Sequence, residues 1–520
     1  VCVRAGVENR RVDRSVDVRG LIGTRITRHP VVYTLAIGVY ASAWAIHGSM
    51  EMASTSGYAY LAYYLGVAGA FLLAPVLLVP IQRMVRTHQL ASLADLFAFR
   101  FRSRWVGTLI TLVSLLAVLP LLALQVQTMG DAIYLMTGAA SPSLLALAFC
   151  AVIALFAMLF GARRRHVDGH HDSLLAVIAL SSLIKLVAML SLGAFALFVV
   201  FDGPADLQAW IDGPGQAFQT EVEQPDPAHW RTLLLLFFAA SLLMPHIFHI
   251  TFTETHSRHT LLQASWSLPL FLLLIALPVP LILWAGQSLG AQEQLPSAYL
   301  AFALSDAPWV QALAFIAGLA ATSATMVMIA LALAGMVLNH VLLVAHPPEA
   351  QLDLYRWLLW LRRALVGAVV LGGWLFYRTV SVHHDLSTLA LATFVGMAQC
   401  LPGLLALLYW PGANRKGMVA GLAVGLLVWL LGLWGPLLTG LPPLLLVPPG
   451  LEGLTGEPAW YVVTLVSLAG NALVFILVEY TSLSYRHVIS HVDLWINNTF
   501  ASYFHVIRDV SKRSNIHLFS

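Results

Sequence analysis

The chain predicts an all-α polytopic membrane protein of about twelve transmembrane helices, and three observations carry that reading. Of its 520 residues, 59% are hydrophobic and only 10% are charged, with a mean hydropathy of +0.80. A soluble domain uses roughly 25% Asp, Glu, Lys and Arg to cover its surface, more than twice what is present here. Apolar runs long enough to cross a hydrocarbon core recur along the chain; about 20 such residues make one helical crossing. The third observation is where the basic residues fall between those runs.

In chain order, the predicted spans are Val31–Ser49, Tyr58–Ile81, Trp105–Met136, Leu144–Phe160, Ser173–Phe201, Trp230–Phe252, Leu261–Ala285, Val310–Val344, Trp357–Tyr377, Leu386–Trp410, Val419–Leu438 and Trp460–Thr481. The third and eighth exceed a simple crossing, which predicts tilt or extension past the membrane. Trp105, Trp230, Trp357, Trp410 and Trp460 stand at span ends, where amphipathic rings settle in the headgroup layer. With the first 30 residues placed in the cytoplasm and sides alternating from there, 25 of the 28 Lys and Arg are cytoplasmic. Arg231 and Arg378 lie outside and Lys185 lies within a span, while the external segment 202–228 carries six acidic residues and no basic one. That agrees with the positive-inside rule and places both termini in the cytoplasm, in an inner (plasma) membrane.

The flanking segments add little. Residues 1–30 are Arg-rich and lack the apolar core of a signal peptide. The residues after the last span, 483–520, are too few for a second domain; "WINNTFASYFHVIRDVSKR" has the makings of an amphipathic surface helix or of a plain tail. Cys2, Cys150 and Cys400 are far apart and form neither a disulfide framework nor a metal-ligand pattern. No nucleophile–base pair, phosphate loop or metal motif points to an enzyme, and nothing points to nucleic acid. The "RRRHVDGHHD" stretch at Arg163–Asp172 reads as a solvated cytoplasmic loop.

Three stretches resemble the sodium/solute symporter family: "VVYTLAIGVYASAWAIHGSMEMASTSGYAYL" from Val31, "LASLADLFAFRF" at Leu90–Phe101 and "MPHIFHITFTE" at Met244–Glu254. Within it, "LPLLALQVQTM", "SSLIKLVAMLSLGAF" and "GMVLNHVLL" are most similar to the symporter-like membrane half of CbrA-type sensor histidine kinases. The resemblance implies a leucine-transporter-type core of inverted repeats (31–201 and 229–410) plus two C-terminal helices (419–481), with the site near the membrane midplane between the repeats. Five spans per repeat invert the second relative to the first, as the alternating topology requires. It also implies one more helix before Val31 and a kinase after the last span, for which the chain ending at Ser520 has no room.

For transport, the first span is the best candidate for a broken helix, with "GSMEMASTSG" (Gly48–Gly57) as the polar stretch. Unwound backbone frees carbonyls that a desolvated cation can satisfy; a plain loop between two helices is the alternative. The resemblance implies a Na+ site from Ser42 and Ala45 on the first core helix with Leu319, Thr322 and Ser323 on the eighth. Two departures weaken sodium coupling. Trp44 stands where relatives carry an acidic residue, and Ser181 and Ser182, with Lys185 nearby, stand where several carry Asp. Lys185 is mid-span, and a buried ammonium is costly unless paired; it is a candidate to replace the cation and couple transport to H+, or else a structurally paired lysine. His246 and His249 flank a second break expected at Pro245 and, with Ser49, are candidate substrate contacts; a packed histidine pair is the alternative.

Two functional readings stand at this stage. One is a cation-coupled secondary transporter importing a small organic solute, an amino acid by resemblance, with Na+ or H+ as coupling ion and no other cofactor. The other is a transporter-derived sensor that signals to a separate histidine kinase or response regulator. Membrane lipid surrounds the protein in either case.

Overall fold

The computed structural model describes residues 29–138, 141–161, 172–216, 218, 227–255, 257–345, 354–380, 384–440 and 460–482. The basic N-terminal segment before residue 29, the loop 162–171, most of 217–226 and the tail 483–520 lie outside the described residues. What is described is helical, and among the described residues there is no strand.

Among the described residues, nine helices are each long and apolar enough to cross a membrane: Arg104–Thr137, Pro142–Gly161, Ser173–Val200, Arg258–Ser288, Pro308–Ala345, Arg356–Thr379, Leu386–Tyr409, Arg415–Thr439 and Trp460–Ser482. We number them spans 3–5 and 7–12. Span 6 is a bent pair, Pro227–Leu243 and Pro245–Thr253, and the chain opens on another, Pro30–Tyr40 followed by Trp44–Leu72. The second arm of that first pair does not run straight. Tyr64 donates its hydroxyl to the Ala45 carbonyl at 2.8 Å, although the two are 19 residues apart; in a straight helix they would stand about 28 Å apart. The chain turns back at Gly57, whose φ of 52° and ψ of −122° suit a residue without Cβ. Span 1 therefore ends at Ser56, and span 2 runs through Leu61–Leu72 and Leu78–Thr87. The described residues hold twelve crossings, the number the apolar runs predict.

The location of the first break differs from the sequence expectation. Gly48–Gly57 is not unwound: Trp44–Gly48 is π-helical and Ser49–Ser56 α-helical. Its hydroxyls bond back into the helix, Ser54 and Thr55 donating to the Glu51 carbonyl at 2.8 and 3.1 Å, so polar side chains here do not free the backbone. The chain instead breaks after Tyr40, and the arms meet at a bend of 68°. The second break falls at Met244, which is extended (φ −64°, ψ 126°) just before Pro245, with a bend of 50°. The two broken spans are the first and the sixth, five crossings apart.

Alternation of the two ends is visible in contacts between distant segments. At one end, Arg100 donates to the carbonyls of Trp410 and Pro411 at 2.8 and 3.0 Å, joining the start of span 3 to the turn between spans 10 and 11. Arg83 and Arg86 in the last part of span 2, Arg102 in the turn before span 3, and Arg104 and Arg415 at the starts of spans 3 and 11 fall at the corresponding helix ends, and we call this the basic end. At the opposite end, Glu51 accepts from the Ser387 N–H and hydroxyl at 3.0 and 2.7 Å. Tyr299, on the 3-10 turn Ser297–Ala303 between spans 7 and 8, donates to Asp131 at 2.7 Å.

Leu144, Val152 and Leu155 of span 4, Val177, Leu180 and Val187 of span 5, and Leu473, Ile476 and Leu477 of span 12 are exposed, forming apolar outer walls suited to hydrocarbon. Polar side chains collect on inner faces instead: Ser114, Gln125 and Thr128 on span 3, Thr322 and Thr325 on span 8, Thr393 and Gln399 on span 10. Span 12 is tied in by polar contacts. Gln399 donates to Ser467 at 2.8 Å, Asn471 donates to the Gln399 carbonyl at 2.7 Å, and Glu479 accepts from the Asn414 N–H at 2.7 Å.

Span 2 meets span 6 most closely at Gly66, where an added Cβ would stand 2.8 Å from the Leu234 carbonyl oxygen and 2.9 Å from the Phe238 nitrogen. Backbone cannot yield as a side chain can. Gly66→Ala is expected to destabilise the fold by about 1–3 kcal/mol and to lower the thermal unfolding midpoint in detergent. Gly335→Ala, where nothing lies within 4 Å, should leave that midpoint unchanged or slightly raised.

Candidate functional site

The first break gathers the site. Its small side chains, Gly38, Ala41, Ser42 and Ala43, let neighbouring helices approach the backbone. Lys185 of span 5, fully buried, reaches across and donates its Nζ to the carbonyls of Gly38 and Ala41 at 2.7 and 2.8 Å. In a continuous α-helix these carbonyls would accept from residues four further on; here Gly38 keeps a 3-10 bond from the Ala41 N–H at 3.1 Å and shares its carbonyl with Lys185. Phe271 of span 7 and the Ser182 hydroxyl pack against Gly38, and among the described residues no carboxylate pairs with the ammonium.

The rest of the freed backbone is satisfied in the same way. Tyr63 of span 2 donates its hydroxyl to the Tyr40 carbonyl. Thr325 of span 8 shares its proton between the Val39 carbonyl at 3.2 Å and that of Ala321 in its own helix at 2.8 Å. The Ala45 N–H closes onto the Ser42 carbonyl at 3.0 Å. Gln125 of span 3 accepts the Ala43 N–H on Oε1 at 3.1 Å. An aromatic wall covers this side: Tyr40 stacks on Tyr63 with centroids 4.7 Å apart, and Trp44 and Phe237 pack on the same ring.

Of the residues expected from sequence, Ser42 and Ala45 flank the break. The Ser42 hydroxyl accepts the Trp44 N–H at 3.3 Å, and the Ala45 carbonyl is held by Tyr64. Lys185 thus binds carbonyls about one helical turn before these two positions. On span 8, the Thr322 hydroxyl donates within its helix, toward the Gly318 and Leu319 carbonyls at 2.9 and 3.2 Å, and the Ser323 hydroxyl bonds the Leu319 carbonyl at 2.6 Å. Ser323 shares with Ser181 an apolar-walled cavity of about 240 Å³ between spans 4, 5 and 8. Thr325, one turn further along, is the span 8 hydroxyl that meets the break. Ser49 is buried against the Tyr64 hydroxyl at 3.1 Å.

His246 and His249 part company. His246 lies just past the second break, buried, with Nδ1 unpartnered. His249 faces the basic end, where Nδ1 lies 3.0 Å from the Thr253 hydroxyl and 3.4 Å from the Ala91 carbonyl, and Nε2 lies 3.4 Å from Glu254. Both ends of the bundle are tied by such contacts. At the basic end, His340 meets Asp95 at 2.7 Å and Tyr33 donates to the Thr251 carbonyl at 2.7 Å. At the other end, His47 contacts the Ala298 carbonyl at 2.8 Å, beside the Tyr299–Asp131 and Ser387–Glu51 bonds. Gln125, Tyr63, Thr325 and Asp131 were not singled out from sequence. The two amides, Gln125 and Gln127, in "LPLLALQVQTM" and the tyrosine-rich "YAYLAYY" are the signals that could have found two of them.

Two broken helices five crossings apart, with the breaks facing into a twelve-span bundle, define a multi-pass membrane protein of the leucine-transporter type of fold. A solved structure of a Na+-coupled sialic acid symporter, in a substrate-bound outward-open state, superposes on it with a TM-score of 0.62 at 11% identity, covering 90% of this chain and 96% of that one. Mhp1, a nucleobase-cation-symport-1 family transporter in a closed conformation with bromovinylhydantoin bound, gives a TM-score of 0.49 at 13% identity over 87% of this chain and 92% of that one. No protein-family model matches the sequence, and no characterised relative matches it at the level of sequence.

Asp95 sits outside the spans, on the short helix Leu93–Arg100 at the basic end. Burial pushes its carboxyl up, but the His340 contact, the Ser92 hydroxyl and the Ala91 N–H outweigh that and hold it below its usual value. A lowered native value stabilises the fold above the unfolded-state value near 4, and that contribution is lost as pH falls through the native value. Asp95→Ala should therefore lower the thermal midpoint at pH 7, by about 1–3 kcal/mol of stability. The gap to the unsubstituted protein should narrow only in strong acid, as read by melting curves across pH.

Proposed function

We propose that the chain is a secondary active transporter that imports a small organic solute by alternating access, and that Lys185 takes the place of a coupling cation. The observation that carries this is the position of Lys185 Nζ, 2.7 and 2.8 Å from the carbonyls of Gly38 and Ala41 at the first break. Carbonyls freed by a broken membrane helix are the usual ligands of a coupling ion in such folds, and here an ammonium from span 5 fills that role.

The coupling then follows from charge. A protonated Lys185 makes charge-assisted bonds, each worth about 1.5–3 kcal/mol, that hold the arm Pro30–Tyr40 against span 5. Loss of the proton weakens both bonds at once and frees the arm to swing. Lys185 faces the Gly38 and Ala41 carbonyls, and Phe271 from span 7 and Ser182 from its own helix pack against Gly38 beside it. With no carboxylate among them, its charge state depends on solvent access from one end or the other. Na+ coupling is the second reading, favoured by the likeness of the fold to a sialic acid symporter that is Na+-coupled. The amino-acid class of solute rests on the resemblance to the sensor-kinase subgroup. The charge distribution along the chain supports an inner-membrane location with both termini cytoplasmic.

Uptake into proteoliposomes under an imposed pH gradient, with a Na+ gradient as the parallel arm, tests the coupling. Uptake should follow the pH gradient, and Lys185→Met should abolish that dependence. An unchanged pH dependence in Lys185→Met rules out the lysine as coupling group. Solute binding without any uptake would support a sensor derived from a transporter.

A further inference from the structure

At the first break, the backbone acceptors are already taken. The carbonyls of Gly38 and Ala41 receive Lys185, Tyr40 receives Tyr63, Val39 receives Thr325, and Ser42 receives the Ala45 N–H. One turn further on, the buried Ala45 carbonyl likewise receives the Tyr64 hydroxyl. Each of these carbonyls already holds a protein donor, so an ammonium group on a solute would have to compete with Lys185, Tyr63 or Thr325 for a shared acceptor, which a solute oxygen would not.

Of the buried groups that lack partners around the same break, two are pure donors and three, the Ser182 hydroxyl among them, are hydroxyls. Trp44 Nε1 and Gln125 Nε2, both buried, can only donate, and neither has a hydrogen-bond partner. Tyr40 Oη and Thr393 Oγ1, equally buried and unpartnered, can donate as well as accept. They belong to one neighbourhood. Gln125 is bonded to Ala43, Tyr40 and Trp44 pack on Tyr63, and span 10, which carries Thr393, reaches the same wall through Phe394 on Phe237. Buried polar atoms are normally paired, so a group of unpaired ones calls for a ligand or water. The charge of this neighbourhood points the same way. Lys185 is its formal charge, while Glu51 and Asp131 are engaged with Ser387 and Tyr299 at the far end of the bundle. In a low-dielectric interior an uncompensated positive charge favours an anion.

From this juxtaposition we propose that the solute is a small organic anion that brings carboxylate and hydroxyl or keto oxygens and carries no ammonium group. The proposal rests on the transport reading above and departs from the amino-acid expectation that the resemblance carried. Gln125 and Trp44 are its specificity-determining residues: their N–H groups meet the solute oxygens, and the aromatic wall of Tyr40 and Tyr63 accommodates the remainder.

Matched 2-hydroxy and 2-amino acids test it, because each pair differs by one hydroxyl against one ammonium at the same size: lactate with alanine, and 3-phenyllactate with phenylalanine. Binding to the full chain in nanodiscs would be followed by calorimetry and uptake measured in proteoliposomes, with glycerol as the uncharged oxygen-rich arm. The hydroxy acids should bind saturably, with the amino acids and glycerol at least tenfold weaker. Trp44→Phe keeps the ring and removes the donor, and Gln125→Met keeps the length and removes the amide; each should weaken hydroxy-acid binding about tenfold or more, with the unliganded melting temperature reporting that the variant is folded. Amino acids binding as tightly as their partners, glycerol binding as tightly as lactate, or no hydroxy acid binding at all overturns the proposal. Uptake of amino acids would remove the solute class and leave the transport reading intact. Hydroxy-acid binding with no uptake would do the reverse.

Discussion

In a bilayer interior no water is present to satisfy a peptide group, so each residue of unwound backbone must find a partner within the protein. The first break frees a run of carbonyls in the middle of the bundle, and their partners come from spans 2, 5 and 8. Tyr63, Lys185 and Thr325 therefore fix where those three spans stand relative to span 1. Gln125 adds span 3 through the N–H of Ala43 on the other side of the gap. The break is less a weakness in a helix than the point on which four other helices are registered.

The same economy of partners is seen at the two ends. Each tie there joins a side chain near the end of one span to a turn or helix start from a distant part of the chain: His340 to Asp95, Glu51 to Ser387, Tyr299 to Asp131. Few of these contacts are extensive, so they can be exchanged without disturbing the apolar packing of the spans between them. A bundle that opens alternately to its two sides needs end contacts of this kind, because hydrophobic burial alone has no direction.

Much of the architecture was legible in the sequence. Apolar runs and the one-sided distribution of arginine gave the twelve crossings, since both reflect bulk solvation and act over whole segments. Lys185 stood out for the same reason, as a lone charge in "SSLIKLVAMLSLGAF". The break itself did not. The polar stretch Gly48–Gly57 looked like the natural place, yet its hydroxyls bond to their own helix, and the chain unwinds at the short-side-chain segment Ala41–Ala43 instead. Carbonyls carry no side-chain signature, and what stabilises their exposure is a set of donors 23 to 286 residues away. The offset of one turn between the expected Ser42 and Ala45 and the carbonyls that Lys185 reaches has that origin. So does the difference between the Thr322–Ser323 pair and Thr325.

Lys185 also bears on how the chain enters the membrane during synthesis. A lysine at the centre of a helix opposes insertion by roughly 2.5–3.5 kcal/mol, and span 5 carries it between exposed apolar residues that face lipid. Its acceptors, Gly38 and Ala41, lie 147 and 144 residues upstream. Translation therefore delivers the carbonyls to the bilayer before the ammonium that needs them. A nascent span 5 meets a docking partner already in place, and the order of the genes' codons sets an order of assembly in which the broken helix waits for the lysine.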